Sequence, residues 1–187
     1  MSRTQQLKSE DASLGLAHEH VCTDAAMQAL MAAVKKGVQC ENGVYRFFDP
    51  GIPLVVLRDL LARQEKLFYA QDWYDQYDWA KREDAPQERT LRIPVEGSFN
   101  KAFADQKKLL TADEEVASTR TVAMFLVITV LSTGKRLLPD RYVCCIDKDS
   151  DSSRVIVGFF DADDLHVYYN ADKFCHPHIG VAAARKS

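Results

Sequence analysis

The chain lacks any apolar run long enough to cross a bilayer: the longest, VAMFLVITVL from Val122 to Leu131, has ten residues, where a spanning helix needs ~20. It also lacks a basic excess. Lys and Arg number 24 against 27 Asp and Glu, the net charge is -3, and no window is densely cationic, so neither nucleic acid nor a membrane is an expected partner. A C-x-x-C pair is missing as well: the five cysteines, Cys22, Cys40, Cys144, Cys145 and Cys175, form no regular framework, and reduced thiols are their simplest state. The first fifteen residues, MSRTQQLKSEDASLG, have no apolar h-region, which points to a cytoplasmic protein. G-x-S-x-G, P-loop and G-x-G-x-x-G motifs are all absent, so no built-in enzyme motif is expected and no cofactor.

What is present fits an ordinary globular α+β domain. Of 187 residues, 47% are hydrophobic and 27% charged, enough for one domain that buries roughly two-thirds of its unfolded surface. The expected organisation is an arm over residues 1–22, then a single α+β domain over 23–187, with helices packed on one face of a C-terminal antiparallel β-meander. Its centre is the Val122–Leu131 run. Five of those ten residues are β-branched, so a buried strand competes, but the flanks favour a helix: Glu114 and Glu115 upstream, Ser118 to cap, Gly134 to stop, Lys135 and Arg136 at the negative end. Leu126 and Val130 should be deeply buried.

Elsewhere, Thr23 to Gly37 predicts a helix with Met27, Leu30, Met31 and Val34 on one face. Val44 to Phe48 reads as a short strand, and Pro53 to about Phe68 as a second helix whose apolar face is Leu54, Leu57, Leu61 and Phe68. LRIPV (91–95) reads as an edge strand because Pro94 cannot donate to a ladder. Ser98 is placed as the cap of a helix carrying Phe99, Phe103, Gln106 and Leu110. After Gly134 the period changes, and RYVCCID, SRVIVGFFD and LHVYYN predict the meander. Its two hairpin loops, Asp147–Ser153 and Asp161–Asp164, should lie ~20 Å apart at opposite ends of the strands.

From Ile93 onward the chain resembles a group of uncharacterised bacterial proteins. The matching pieces are I-P-x-x-G-S-F (Ile93, Pro94, Gly97, Ser98, Phe99), Phe103 with Gln106, Leu109 and Leu110 with Glu114, and Gly134 with Arg136, Leu137 and Leu138. They continue with Val155, Val157, Gly158, Phe160 and Asp161, and end on G-V-A-x-A-R-K at residues 180–186. The resemblance implies a soluble domain with no assigned activity.

Three stretches could carry chemistry. His18, His20 and Cys22, together with Cys175, His176 and His178, could supply soft ligands to a metal, although Pro177 makes the second cluster read equally as a surface turn. Cys145 or Cys175 could act as a nucleophile if a neighbour lowered its pKa. These give one functional class, a metal- or thiol-dependent enzyme. Asp147, Asp149 and Asp151 have calcium-loop spacing, but Ser152 and Gly158 stand where the loop needs Gly and Glu. The other class rests on Trp73, Tyr74, Tyr77 and Trp79 interleaved with Asp72, Asp75 and Asp78. Rings beside carboxylates can hold a cation, a sugar or a basic segment, which makes a non-catalytic ligand-binding or protein-interaction module. The same rings would form a core stripe if the Pro53 helix continued through Tyr69, Trp73 and Tyr77.

Overall fold

The structure is a computed structural model describing residues 24–64, 67–69, 71–162 and 164–186. The expected arm over 1–22, and with it His18, His20 and Cys22, lies outside the described residues. Helix α1 covers 24–36 and ends where Gly37, at φ 72°, donates its N–H back to the Ala33 and Val34 carbonyls. Strands β1 (Val38–Glu41) and β2 (Val44–Asp49) follow, then helices α2 (Leu54–Gln64) and α3 (Asp78–Lys81) and strand β3 (Gln87–Arg92). Helix α4 (Phe103–Lys107) and strand β4 (Glu114–Val116) lead into α5 (Thr119–Thr133). Strands β5 (Tyr142–Lys148), β6 (Arg154–Asp161), β7 (Asp164–Asn170), β8 (Ile179–Val181) and β9 (Ala183–Arg185) complete the order.

The strands form two sheets, one ordered β1-β2-β3-β9-β4 and the other β7-β6-β5-β8. The first is antiparallel throughout; in the second, β5-β6-β7 is the antiparallel meander that the alternation predicts, and β8 joins it parallel to β5. The class is α+β. Helix α5 touches strands of both sheets, β1 and β2 on one side and β5 and β6 on the other, and also α2 and α3. That is why it can be apolar all round. Every residue from Thr119 to Thr129 is buried, and the hydroxyls of Thr129, Ser132 and Thr133 each donate to a carbonyl one turn back, at 2.7 Å. Its cap and stop are those expected, since the Ser118 side chain accepts the Thr121 N–H and Gly134 takes the left-handed conformation, but Glu114 and Glu115 lie in β4 rather than at the helix end, and no basic residue falls in its last turn. Leu126 is fully buried, whereas Val130 is only partly so, being near the end of the enclosed part. No helix of the described residues is long and apolar enough to cross a membrane.

Arg120, in the first turn of α5, is 1% exposed and anchors the helix to the first sheet. It donates to both oxygens of the fully buried Asp49 at 2.9 and 2.8 Å, and to Asp84 at 2.5 Å. Burial opposes ionisation of Asp84, but Arg120, Arg82 and Arg89 outweigh it and hold this carboxyl below the usual range.

Several local expectations change. The Pro53 helix is described through Gln64 and has ended by Leu67, short of Phe68, because the backbone at 67–69 is drawn onto the edge of the second sheet. Phe68 bridges Leu165, whose N–H donates to Leu67 and whose carbonyl accepts from Tyr69. The stripe Tyr69, Trp73, Tyr77 therefore does not lie on a helix; residues 73–76 form a turn. Strand β3 is interior rather than an edge, since Pro94 falls beyond its end and β9 pairs with it. Ser98 does not cap α4, which starts after Ala102. Its hydroxyl instead donates to the Val95 carbonyl and accepts the Val181 N–H, fastening the 95–98 turn to β8. A Cβ on Gly180 would meet that hydroxyl at 2.7 Å, so only glycine fits opposite the serine.

Candidate functional site

The two faces of the second sheet are covered differently. Val143, Cys145, Val155, Val157, Leu165 and Val167 belong to the main core with α5. On the opposite face Cys144, Ile156, Ile179 and Val181 form a smaller cluster with Phe103 of α4 and Val95. This cap is only partial, and beyond it the face is open. There Tyr142, Phe159, Tyr168 and Tyr169 line a groove of about 500 Å³, with Ile156 and Ile179 as its floor and Asp140, Asn170, His176 and His178 around it. That volume is in the range of small-molecule sites, ~300–1,000 Å³.

The rings come in two stacked pairs. Tyr142 and Phe159 have centroids 5.2 Å apart, and Tyr168 and Tyr169 4.9 Å apart with planes only 7° from parallel. Phe159 is 39% exposed and Tyr168 53% exposed, unusual for rings of this size. Phe159 owes its place to a bulge. Gly158 (φ 152°) lies so close to the β5 backbone that a Cβ would meet the Arg141 carbonyl at 2.1 Å, and Phe159 then adopts φ 49°. The register shifts between Gly158 and Asp161. Phe159 thus emerges beside Tyr142 while Phe160 turns fully into the core. A bulky residue in the left-handed region stores strain, of order ~1–3 kcal/mol, and such strain gathers where side chains must be aimed. Burial, with the nearby Tyr168 and Asp161 groups, raises the pKa of the Tyr142 phenol.

The aromatic and acidic stretch adjoins this groove. Trp73 meets Tyr169 edge to face at 5.4 Å, and Tyr77 stacks on Trp79 at 5.7 Å. Tyr74 is fully buried, while Trp73, Tyr77 and Trp79 are partly buried against the main core. Their polar atoms hold the chain together. The Trp73 indole N–H donates to the Val167 carbonyl at 3.3 Å, that of Trp79 to Lys148 at 3.0 Å, and the Tyr77 hydroxyl accepts the Ser150 N–H at 2.9 Å. Asp75 is engaged bidentately by the buried Arg58, leaving Asp72 and Asp78 exposed.

The remaining candidates sort differently. The His176 and His178 rings lie 5.5 Å apart, and the His176 Nδ1 accepts the His178 N–H at 3.2 Å. Among the described residues no group of three or more His, Cys, Asp or Glu is placed to hold a metal, so Cys175 does not complete a set with them. Cys144 and Cys145 are both buried, and burial pushes the Cys144 thiol up to about 12 and that of Cys145 well above its usual value. Neither is poised as a thiolate. Asp149 closes its own loop by accepting the Asp151 and Ser153 N–H groups, and Asp147 accepts the Thr119 N–H at 2.7 Å. Two other cavities are rimmed in part by charges already spent on partners, Arg92 with Glu114 and Arg185 with Asp113 in one, Arg154 with Asp172 in the other.

Sequence reasoning over local windows missed Tyr142, Phe159, Tyr168 and Tyr169. Alternation in the meander strands faces Tyr142 and Tyr168 away from the core, but Phe159 and Tyr169 share the parity of the core-facing valines and gave no such signal. No family model matches the chain, and no curated protein and no solved structure is significantly similar to it.

Proposed function

We propose that the protein is a non-catalytic ligand-binding module whose site is the aromatic groove on the outer face of the second sheet. The aromatic and acidic segment of Trp73, Asp75, Tyr77, Asp78 and Trp79, with Tyr74 buried beneath it, adjoins the groove through the Trp73–Tyr169 contact. The observation that carries this reading is a difference in employment. The hydroxyls of Tyr142, Tyr168 and Tyr169 make no hydrogen bond among the described residues. Their rings nevertheless line one cavity, and Phe159 is brought to it by a strained backbone. Groups that neither fill the core nor satisfy the backbone are available to something else.

Buried, protonated thiols in the meander favour binding over thiol chemistry. The reading takes residues 23–187 as one domain, supported by α5 contacting both sheets and by the chain passing from β8 directly into β9. It takes the compartment as cytoplasmic, supported by the free Cys40, Cys144, Cys145 and Cys175.

A ligand-observed magnetic-resonance screen of small ring-bearing compounds tests it. Hits should be lost in Tyr168→Ala and in Phe159→Leu, with the thermal midpoint of both variants unchanged. If no compound binds, or if hits persist in both variants, the groove is not a site. Elemental analysis of untagged protein addresses the enzyme alternative: near-stoichiometric zinc that disappears in His176→Ala or Cys175→Ser would replace the present reading.

A further inference from the structure

Resting on that reading, we propose that the groove takes a small molecule bearing an alkylated ammonium group, seated against the faces of its four aromatic rings. The first observation is that several rings elsewhere in the chain each carry one of its own cations. Lys36 lies 3.2 Å from the centre of Phe48, Arg154 3.9 Å from Phe103, Arg141 4.7 Å from Phe99, Arg136 4.8 Å from Phe160 and Arg58 5.3 Å from Tyr74. Each is within the reach of a cation-π contact, ~6 Å. Among the described residues, none of Tyr142, Phe159, Tyr168 and Tyr169 has such a cation, although Phe159, Tyr168 and Tyr169 are exposed.

The second observation is charge. No Lys or Arg lines the groove, and its one carboxylate is that of Asp140, 64% exposed and 3.6 Å from Arg141. Arg141 is itself held over Phe99, outside the groove lining. The neighbourhood of the Tyr142 hydroxyl also resists added negative charge, through burial and the nearby Tyr168 and Asp161. An anionic ligand would meet no Lys or Arg here, only the rings of His176 and His178, whereas a cation meets ring faces and Asp140.

The third observation selects the kind of cation. The floor is Ile156 and Ile179, both buried. A compact ammonium would lose strong hydration on reaching it, whereas an alkylated one carries its charge under apolar groups that fit the isoleucines. At about 500 Å³ the groove has room for such a molecule.

The test titrates the full chain with choline and with 3,3-dimethyl-1-butanol, the uncharged carbon analogue of the same shape, and includes phenol as a neutral ring. Tyrosine ring resonances report binding. Choline should shift the rings of Tyr142 and Tyr168 and bind roughly tenfold more tightly than its neutral analogue. That preference should shrink in Tyr168→Leu, and in Asp140→Asn should if the variant with Leu fails to fold. If phenol or the neutral analogue binds as tightly as choline, the cation assignment falls while the groove remains a ligand site. If none of the three binds at millimolar concentration, both fall.

Discussion

Two neighbouring groups of aromatic rings on this protein do different things. Trp73, Tyr77 and Trp79 give up their polar atoms to the Val167 carbonyl, the Ser150 N–H and the Lys148 carbonyl, tying the 71–81 segment to the second sheet and its β5–β6 loop. Tyr142, Phe159, Tyr168 and Tyr169 tie nothing, yet they are collected at one groove. Ring content alone cannot distinguish these cases; the fate of each N–H and O–H does. A ring whose polar atom closes a backbone bond is a fastener, and its removal is felt as stability. A ring with no such duty can be changed at little structural cost.

That contrast sets an order of effects. Leu126→Ala, in the fully enclosed part of α5, provides the reference and should cost ~2–5 kcal/mol in urea unfolding. Trp73→Ala should come close, about 3 kcal/mol, because it opens a hole against the core and removes one of the two side-chain donors, with Gln71, to the Val167 carbonyl. If it cost no more than a surface change, the fastener reading of the stretch would fail.

Acid separates the Arg120 anchor from both aromatic groups. Because Asp84 is held below its ordinary value when folded, the unfolded chain binds its proton first. The stability it contributes is therefore complete above the unfolded carboxyl value of about 4 and is lost as the pH falls through the lower folded value. Urea midpoints between neutral and acid pH should decline less steeply in Asp84→Asn than in the parent, and an unchanged slope would remove Asp84 from the account. Smaller again, Trp79→Phe keeps an aromatic ring beside Tyr77 but loses the bond to Lys148 and some of the indole's packing, for about 1 kcal/mol. Amide exchange at Ser150 and its neighbours should quicken with it. The least effect is expected at Tyr168, where alanine should change stability by less than about 0.5 kcal/mol while abolishing ligand binding.

How much of this was legible in the sequence depends on the range of the forces involved. Helix α5 was legible because its evidence is local: a continuous apolar run, a serine cap and a glycine stop within one stretch. The meander was legible because alternation is a property of neighbouring residues. Ser98 misled because a hydroxyl that could cap the next turn of chain instead serves Val181, far away in sequence. The strands Ile179–Val181 and Ala183–Arg185 are only three residues long and include Gly180 and two alanines, so they carry little signal of their own, and β5, β3 and β4 supply their partners. The groove was hidden for a related reason. Period-two alternation assigns Phe159 a face by counting, and the Gly158 bulge resets the count.

The passage from β8 into β9 has a consequence for the time course of folding. Leu91 finds its partner in Ala184, and Glu115 pairs with that same residue. Strands β3 and β4 therefore have no ladder between them until residues 183–185 are in place. Pairings so distant in sequence are slow to form because the intervening loop must first be closed. On a ribosome, the meander can assemble from adjacent hairpins while β3 and β4 still wait, their edges open to other chains. The sheet whose first strand is Val38–Glu41 is thus the one that synthesis leaves unfinished longest.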